Sequence, residues 1–95
     1  MRDHVVVIFT AEVVVQLKPV VNDPQGLVVR DGLRRLGYDG VHGVRVGKHI
    51  EIELDAASES ACREVVAAMC DKLLRNPVIE EYRITAVRAT AEATA

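Results

Sequence analysis

Five groups of residues in this 95-residue sequence have types and spacing that allow chemistry. Glu51 and Glu53 fall on one face of an alternating stretch, His49-Ile50-Glu51-Ile52-Glu53-Leu54. Paired carboxylates can act as general acid and base, but a solvated or salt-bridged strand face is the commoner arrangement. Cys62 and Cys70 are eight positions apart. On one helix that separation is about 12 Å, beyond the ~7 Å reach of a disulfide, so they read as small buried hydrophobes rather than a redox pair. His4, His42 and His49 lack metal-ligand spacing and read as exposed or turn histidines. Asp23-Pro24-Gln25-Gly26 has the form of a helix start, which presents free N–H groups to an anion or a partner unless the cap satisfies itself. Val44-Arg45-Val46-Gly47-Lys48 brackets a glycine with two cations, either as a solvated tip or as a contact surface. No serine has a credible base beside it, and there is no phosphate-cradling glycine loop or close-set Cys/His ligand group. The sequence therefore predicts no catalytic residue and no metal site.

Composition narrows the function classes. Apolar residues make up 49% of the chain and charged residues 27%, the balance of a folded domain, and the length is that of one domain. The net charge is −2 and the isoelectric point about 5.9, without the basic stripe of a nucleic-acid binder. With no Trp, one Phe and two Tyr, base-stacking platforms are nearly absent. No apolar run approaches the ~18 residues of a membrane span. Val5 to Phe9 is too short for the apolar core of a signal peptide. Two unpaired thiols suit a reducing compartment. The expectation is a cytosolic, cytoplasmic protein with no nucleic-acid or membrane partner.

The elements that must position these residues follow from periodicity. Every odd position from Val5 to Leu17 is apolar, the mark of a half-buried strand, with Glu12 to Lys18 its clearest part. Residues 1–10 read as an N-terminal extension that continues this strand, forms a separate edge strand or hangs loose. Pro19 ends the strand. Asp23 and Pro24 then start a helix with Val29, Leu33 and Leu36 on one stripe, and Gly37 stops it. Gly32, in mid-helix, suggests a closely packed neighbour. Gly47-Lys48 reads as a two-residue hairpin turn, with a bulge in one long strand as the alternative. Ser58 caps a second helix with the stripe Cys62, Val65, Val66, Met69, Leu73, which Asn76-Pro77 ends. A last strand runs from about Glu81 to Arg88, with Tyr82, Ile84 and Ala86 on one face, and residues 89–95 read as a disordered tail.

The predicted order is β-α-β-β-α-β, an α+β ferredoxin-like fold: an antiparallel sheet with both helices on one face, over residues 11–88. The opposite sheet face, partly apolar, points to an oligomer.

Five segments, Leu17-Lys18-Pro19, Asp23-Pro24-Gln25-Gly26, Leu36-Gly37-Tyr38, Val44-Arg45-Val46-Gly47-Lys48 and Leu73-Leu74-Arg75-Asn76-Pro77-Val78-Ile79-Glu80, stand in order along the chain. In them the sequence resembles the PurS family, the small subunit of phosphoribosylformylglycinamidine (FGAM) synthase in de novo purine biosynthesis. The resemblance spans about Glu12 to Ile84, in order and in register; the first ten residues have no counterpart.

The resemblance implies an accessory, non-catalytic subunit. It implies a glutaminase subunit (PurQ) that releases ammonia and a large synthetase subunit (PurL) that uses ATP and Mg to activate formylglycinamide ribonucleotide. This chain would bind no cofactor, join the two subunits, support ammonia transfer, and form a homodimer or higher homo-oligomer. The residues carried over as partner contacts are Asp23, Pro24, Gln25, Gly26, Arg45, Gly47 and Lys48. Two other classes share the element order. One is a sensor that binds a small molecule such as a free amino acid. The other is an RNA-binding domain, which requires aromatics where this chain has Val, Ile and Glu on its strands.

Overall fold

The computed structural model describes the backbone of residues 5–94. Three strands, β1 (Val5–Leu17), β2 (Gly47–Ala56) and β3 (Glu80–Thr94), form one antiparallel sheet in the order β2-β1-β3. Helix α1 (Pro24–Arg35) links β1 to β2, and α2 (Glu59–Met69) links β2 to β3 through one π-helical turn, Cys70–Leu74. The order is β-α-β-α-β. Val44 to Val46 is not a strand, so there is no hairpin at Gly47-Lys48; both residues open β2. Val5 to Thr10 continues β1, and residues 89–94, expected as a loose tail, continue β3. Residues 1–4 and Ala95 lie outside the described residues.

Parity places the core. Phe9, Ala11, Val13 and Val15 of β1 are buried against Cys62, Val66 and Cys70. Ile50, Ile52 and Leu54 of β2 flank them on one side and Tyr82, Ile84 and Val87 of β3 on the other. The buried helix stripe is thus Cys62, Val66, Cys70, continued by Leu74, with Leu73 82% exposed. The correction follows from the π turn, in which the Arg75 N–H donates to the Cys70 carbonyl at 3.1 Å; the wider turn carries Leu74 rather than Leu73 over the sheet.

β3 departs from the expected alternation at two bulges. Val13 pairs with Ile84 but Glu12 with Ala86, leaving Thr85 as an extra residue; Thr90 is skipped in the same way between Phe9 and Ile8. Both threonine hydroxyls donate to β1 carbonyls, Thr85 to Glu12 at 3.2 Å and Thr90 to Ile8 at 3.0 Å. Beyond the first bulge Val87, not Ala86, faces the core.

Only α2 covers the sheet. No α1 side chain belongs to the core, and Val28 and Leu36 are 72% and 76% exposed. The expectation that both helices pack on one face therefore fails for α1, and Gly32 has nothing near its missing side chain. The chain extends over 66 × 28 × 15 Å with a radius of gyration of 18.2 Å, against roughly 12 Å for a compact domain of this length. Helix α1 is well formed locally. Asp23 caps it, Pro24 occupies its first turn, and Gly37, at φ 102°, closes it. There the N–H groups of Gly37 and Tyr38 return to the carbonyls of Arg34 and Leu33 at 3.0 and 3.1 Å.

Candidate partner-docking site

Two of the recognised segments, 23–26 and 44–48, meet at the start of α1. Asp23 joins them with both carboxylate oxygens. Oδ1 accepts from the Gly26 N–H and Oδ2 from the Val46 N–H, each at 2.9 Å. Those two N–H groups, Gly26 first, hold the Asp23 carboxyl below the usual carboxylate range, with Arg45 adding a smaller attraction. The helix cap is therefore also a tertiary clamp.

Both glycines of the two segments sit where a backbone comes close. A Cβ on Gly26 would collide with the Val44 carbonyl oxygen and lie 2.9 Å from Asp23 Oδ2. A Cβ on Gly47 would lie 2.7 Å from the Val15 carbonyl oxygen and 2.6 Å from Gln16 Cγ. Gly47 thus lets β2 enter the sheet opposite Gln16.

The other segments close the same end of the sheet. The Lys18 backbone N–H donates to the Ile79 carbonyl and its ammonium to the Pro77 carbonyl, both at 2.8 Å. Arg75 lies over the Tyr82 ring at 5.0 Å and donates to the Glu80 carbonyl at 3.3 Å. Lys48 Nζ is 3.8 Å from Glu80 Oε2.

At this end an open cleft of about 310 Å³ is lined in part by Leu17, Pro24, Gln25, Val46, Lys48 and Glu80. A second, shallower hollow lies on the α1 side of Pro24 and Gln25, floored by Val28, Val29 and Val46. The seven carried-over residues thus divide by environment. Asp23, Gly26 and Gly47 build the joint, while Pro24, Gln25, Arg45 and Lys48 remain exposed around it. No nucleophile with an activating base is present among the described residues at this end.

Residues 10–88 match the family described as PurS: phosphoribosylformylglycinamidine (FGAM) synthase. The chain belongs to the PurS family. It is 47% identical over 74 residues to the FGAM synthase subunit PurS of Synechocystis sp., covering 78% of this chain and 74% of that protein. Its fold superposes on Thermus thermophilus PurS with a TM-score of 0.79 at 37% identity, covering 87% of this chain and 98% of that one. A chain in the structure of PurLQS from Thermotoga maritima matches with a TM-score of 0.74 at 35% identity, covering 87% of this chain and 98% of that one. The five PurS-like segments are, in this chain, largely the residues that hold the start of α1, the start of β2 and the start of β3 together.

One cluster went unread in the sequence. Glu12, His49 and Glu51 converge on the sheet face turned away from α2, with Arg88 bound to Glu12. Glu12 comes from β1, His49 and Glu51 from β2 and Arg88 from β3, so linear spacing alone did not bring them together. The signal lay in strand register, which places Glu12 opposite Glu51.

Proposed function

We propose that this chain, a PurS subunit of FGAM synthase in purine biosynthesis, acts there as a non-catalytic adaptor between the glutaminase and synthetase subunits. In this reading ammonia released from glutamine by PurQ reaches PurL, where ATP and Mg activate formylglycinamide ribonucleotide for conversion to the amidine. This chain supplies a surface and no cofactor for the reaction, in the cytoplasm. The observation that carries the reading is the convergence of segments 23–26 and 44–48 into one solvent-facing surface with two exposed cations, Arg45 and Lys48, and no reactive group beside them. The relative in the PurLQS structure supports the same assignment.

The unpacked α1 supports a homo-oligomer. Its exposed Val28 and Val29, with Leu36 at its C-cap, form a surface that its own sheet does not cover, and apolar surface of this kind is normally buried against a partner. A second copy covering α1 would give the elongated chain the compactness it lacks alone. No helix among the described residues is long and apolar enough to cross a membrane. Reconstitution of the three subunits, with glutamine or free ammonia as nitrogen donor, tests the adaptor role.

A further inference from the structure

We propose that Glu12, His49 and Glu51 form a divalent transition-metal site, of the kind that takes Zn²⁺, on the sheet face opposite α2. Strand register builds it. Glu12 of β1 stands directly across from Glu51 of β2, and His49 lies two residues along on the same face. Carboxylates placed directly opposite in a ladder repel each other unless a cation joins them. Arg88, from β3, binds only Oε2 of Glu12. Oε1 pairs with His49 Nε2 at 3.3 Å, a contact the metal would replace, and Glu51, which Arg88 attracts only from a distance, has no ion pair of its own among the described residues.

The bulge at Thr85 brings Arg88 to this face. With unbroken pairing after Val13–Ile84, Arg88 would lie opposite Phe9 on the core side; the extra residue moves it opposite Thr10, diagonal to Glu12.

The distances suit a small cation. One donor atom from each of the three residues lies within 4.8 Å of the other two. Around tetrahedral zinc with bonds of ~2.0–2.1 Å, neighbouring ligand atoms are about 3.3 Å apart. The Glu12–His49 pair already has that spacing, and the exposed Glu51 side chain closes the remainder by rotamer change. The donor set, one imidazole and two carboxylates, leaves a fourth position for water. The imidazole favours zinc-like ions over Ca²⁺ and Mg²⁺, which prefer all-oxygen shells. With neutral His49, the two carboxylates and Arg88 sum to one negative charge, so the dication meets net attraction. Arg88 keeps Glu12 oriented by holding the oxygen that the metal does not use.

Titration calorimetry of Zn²⁺ into the full chain near neutral pH tests the site. One saturable site per chain is expected. H49A and E51Q should each weaken it by about tenfold or more, at least the loss typical of a second-shell change, while H42A leaves it unchanged. Both substitutions are at exposed positions, and circular dichroism and Tm check that the fold is kept. Co²⁺ substitution gives a second readout, a visible absorption band that vanishes with H49A. No saturable binding, or binding that survives both H49A and E51Q, overturns the proposal.

Discussion

Asp23 Oδ2 accepts a hydrogen bond from the Val46 N–H at 2.9 Å, joining residues 23 positions apart. The same side chain caps α1 through Oδ1 and the Gly26 N–H. One carboxylate thereby fixes both the start of the helix and the approach to β2. D23A should remove the cap and the tertiary clamp together, lowering Tm by about 5 °C or more and opening the Val46 amide to hydrogen exchange. G26A should do comparable damage, because its Cβ meets the Val44 carbonyl. An unshifted Tm in both variants would contradict the clamp.

The clamp has a defined pH dependence. The Asp23 carboxyl is held below its ordinary value by the Gly26 and Val46 N–H groups. A carboxylate with a depressed folded-state pKa stabilises the fold above its unfolded pKa, about 3.9. That stability is lost as pH falls through the lower folded-state value. The Tm difference between the wild type and D23N should therefore be constant near neutrality and shrink below about pH 4. A difference that stays constant down to pH 2 would remove Asp23 as an ionised clamp.

Arg45 and Lys48 are exposed beside the clamp, and Lys48 makes only a long 3.8 Å contact with Glu80. The double variant R45A/K48A should keep the Tm within a few degrees and weaken capture of the synthetase and glutaminase subunits. The loss should appear chiefly as a slower, more salt-sensitive association rate. Equal association rates at low salt would show that these cations do not face a partner.

The exposed apolar residues of α1 predict self-association. Val28 and Leu36 are 72% and 76% exposed and make no part of the core. V28D and L36D should therefore leave monomer folding intact and shift sedimentation toward the monomer. An unchanged sedimentation profile would mean that another surface joins the copies.

Cys62 and Cys70 are both fully buried, and burial pushes both thiols above their ordinary pKa. Neither should react with a thiol reagent in the folded chain at pH 8, and both should react in denaturant. Rapid labelling of the native protein would contradict this packing.

Much of this was legible because it depends on local chemistry. Odd-position apolar residues set β1, Asp23-Pro24 and Ser58 set the helix starts, and Gly37 the first helix end. What escaped depends on partners remote in sequence. The bulge at Thr85 changes which β3 residues face the core, and nothing near Thr85 announces it. Gly47-Lys48 has the composition of a hairpin turn, but Asp23 takes the Val46 N–H that a short strand would have given to a ladder. The amphipathic stripe of α1 implied a buried face without saying which surface would bury it. Candidate site residues were identified from the PurS-like segments, while the reason they meet, one carboxylate with two backbone donors, emerges only in three dimensions.

The most direct test of the adaptor role is amidine formation by reconstituted glutaminase and synthetase subunits, with and without this chain. The glutamine-dependent rate should require the chain, while the rate with free ammonia should depend on it far less. Equal glutamine-dependent rates in its absence would contradict that role.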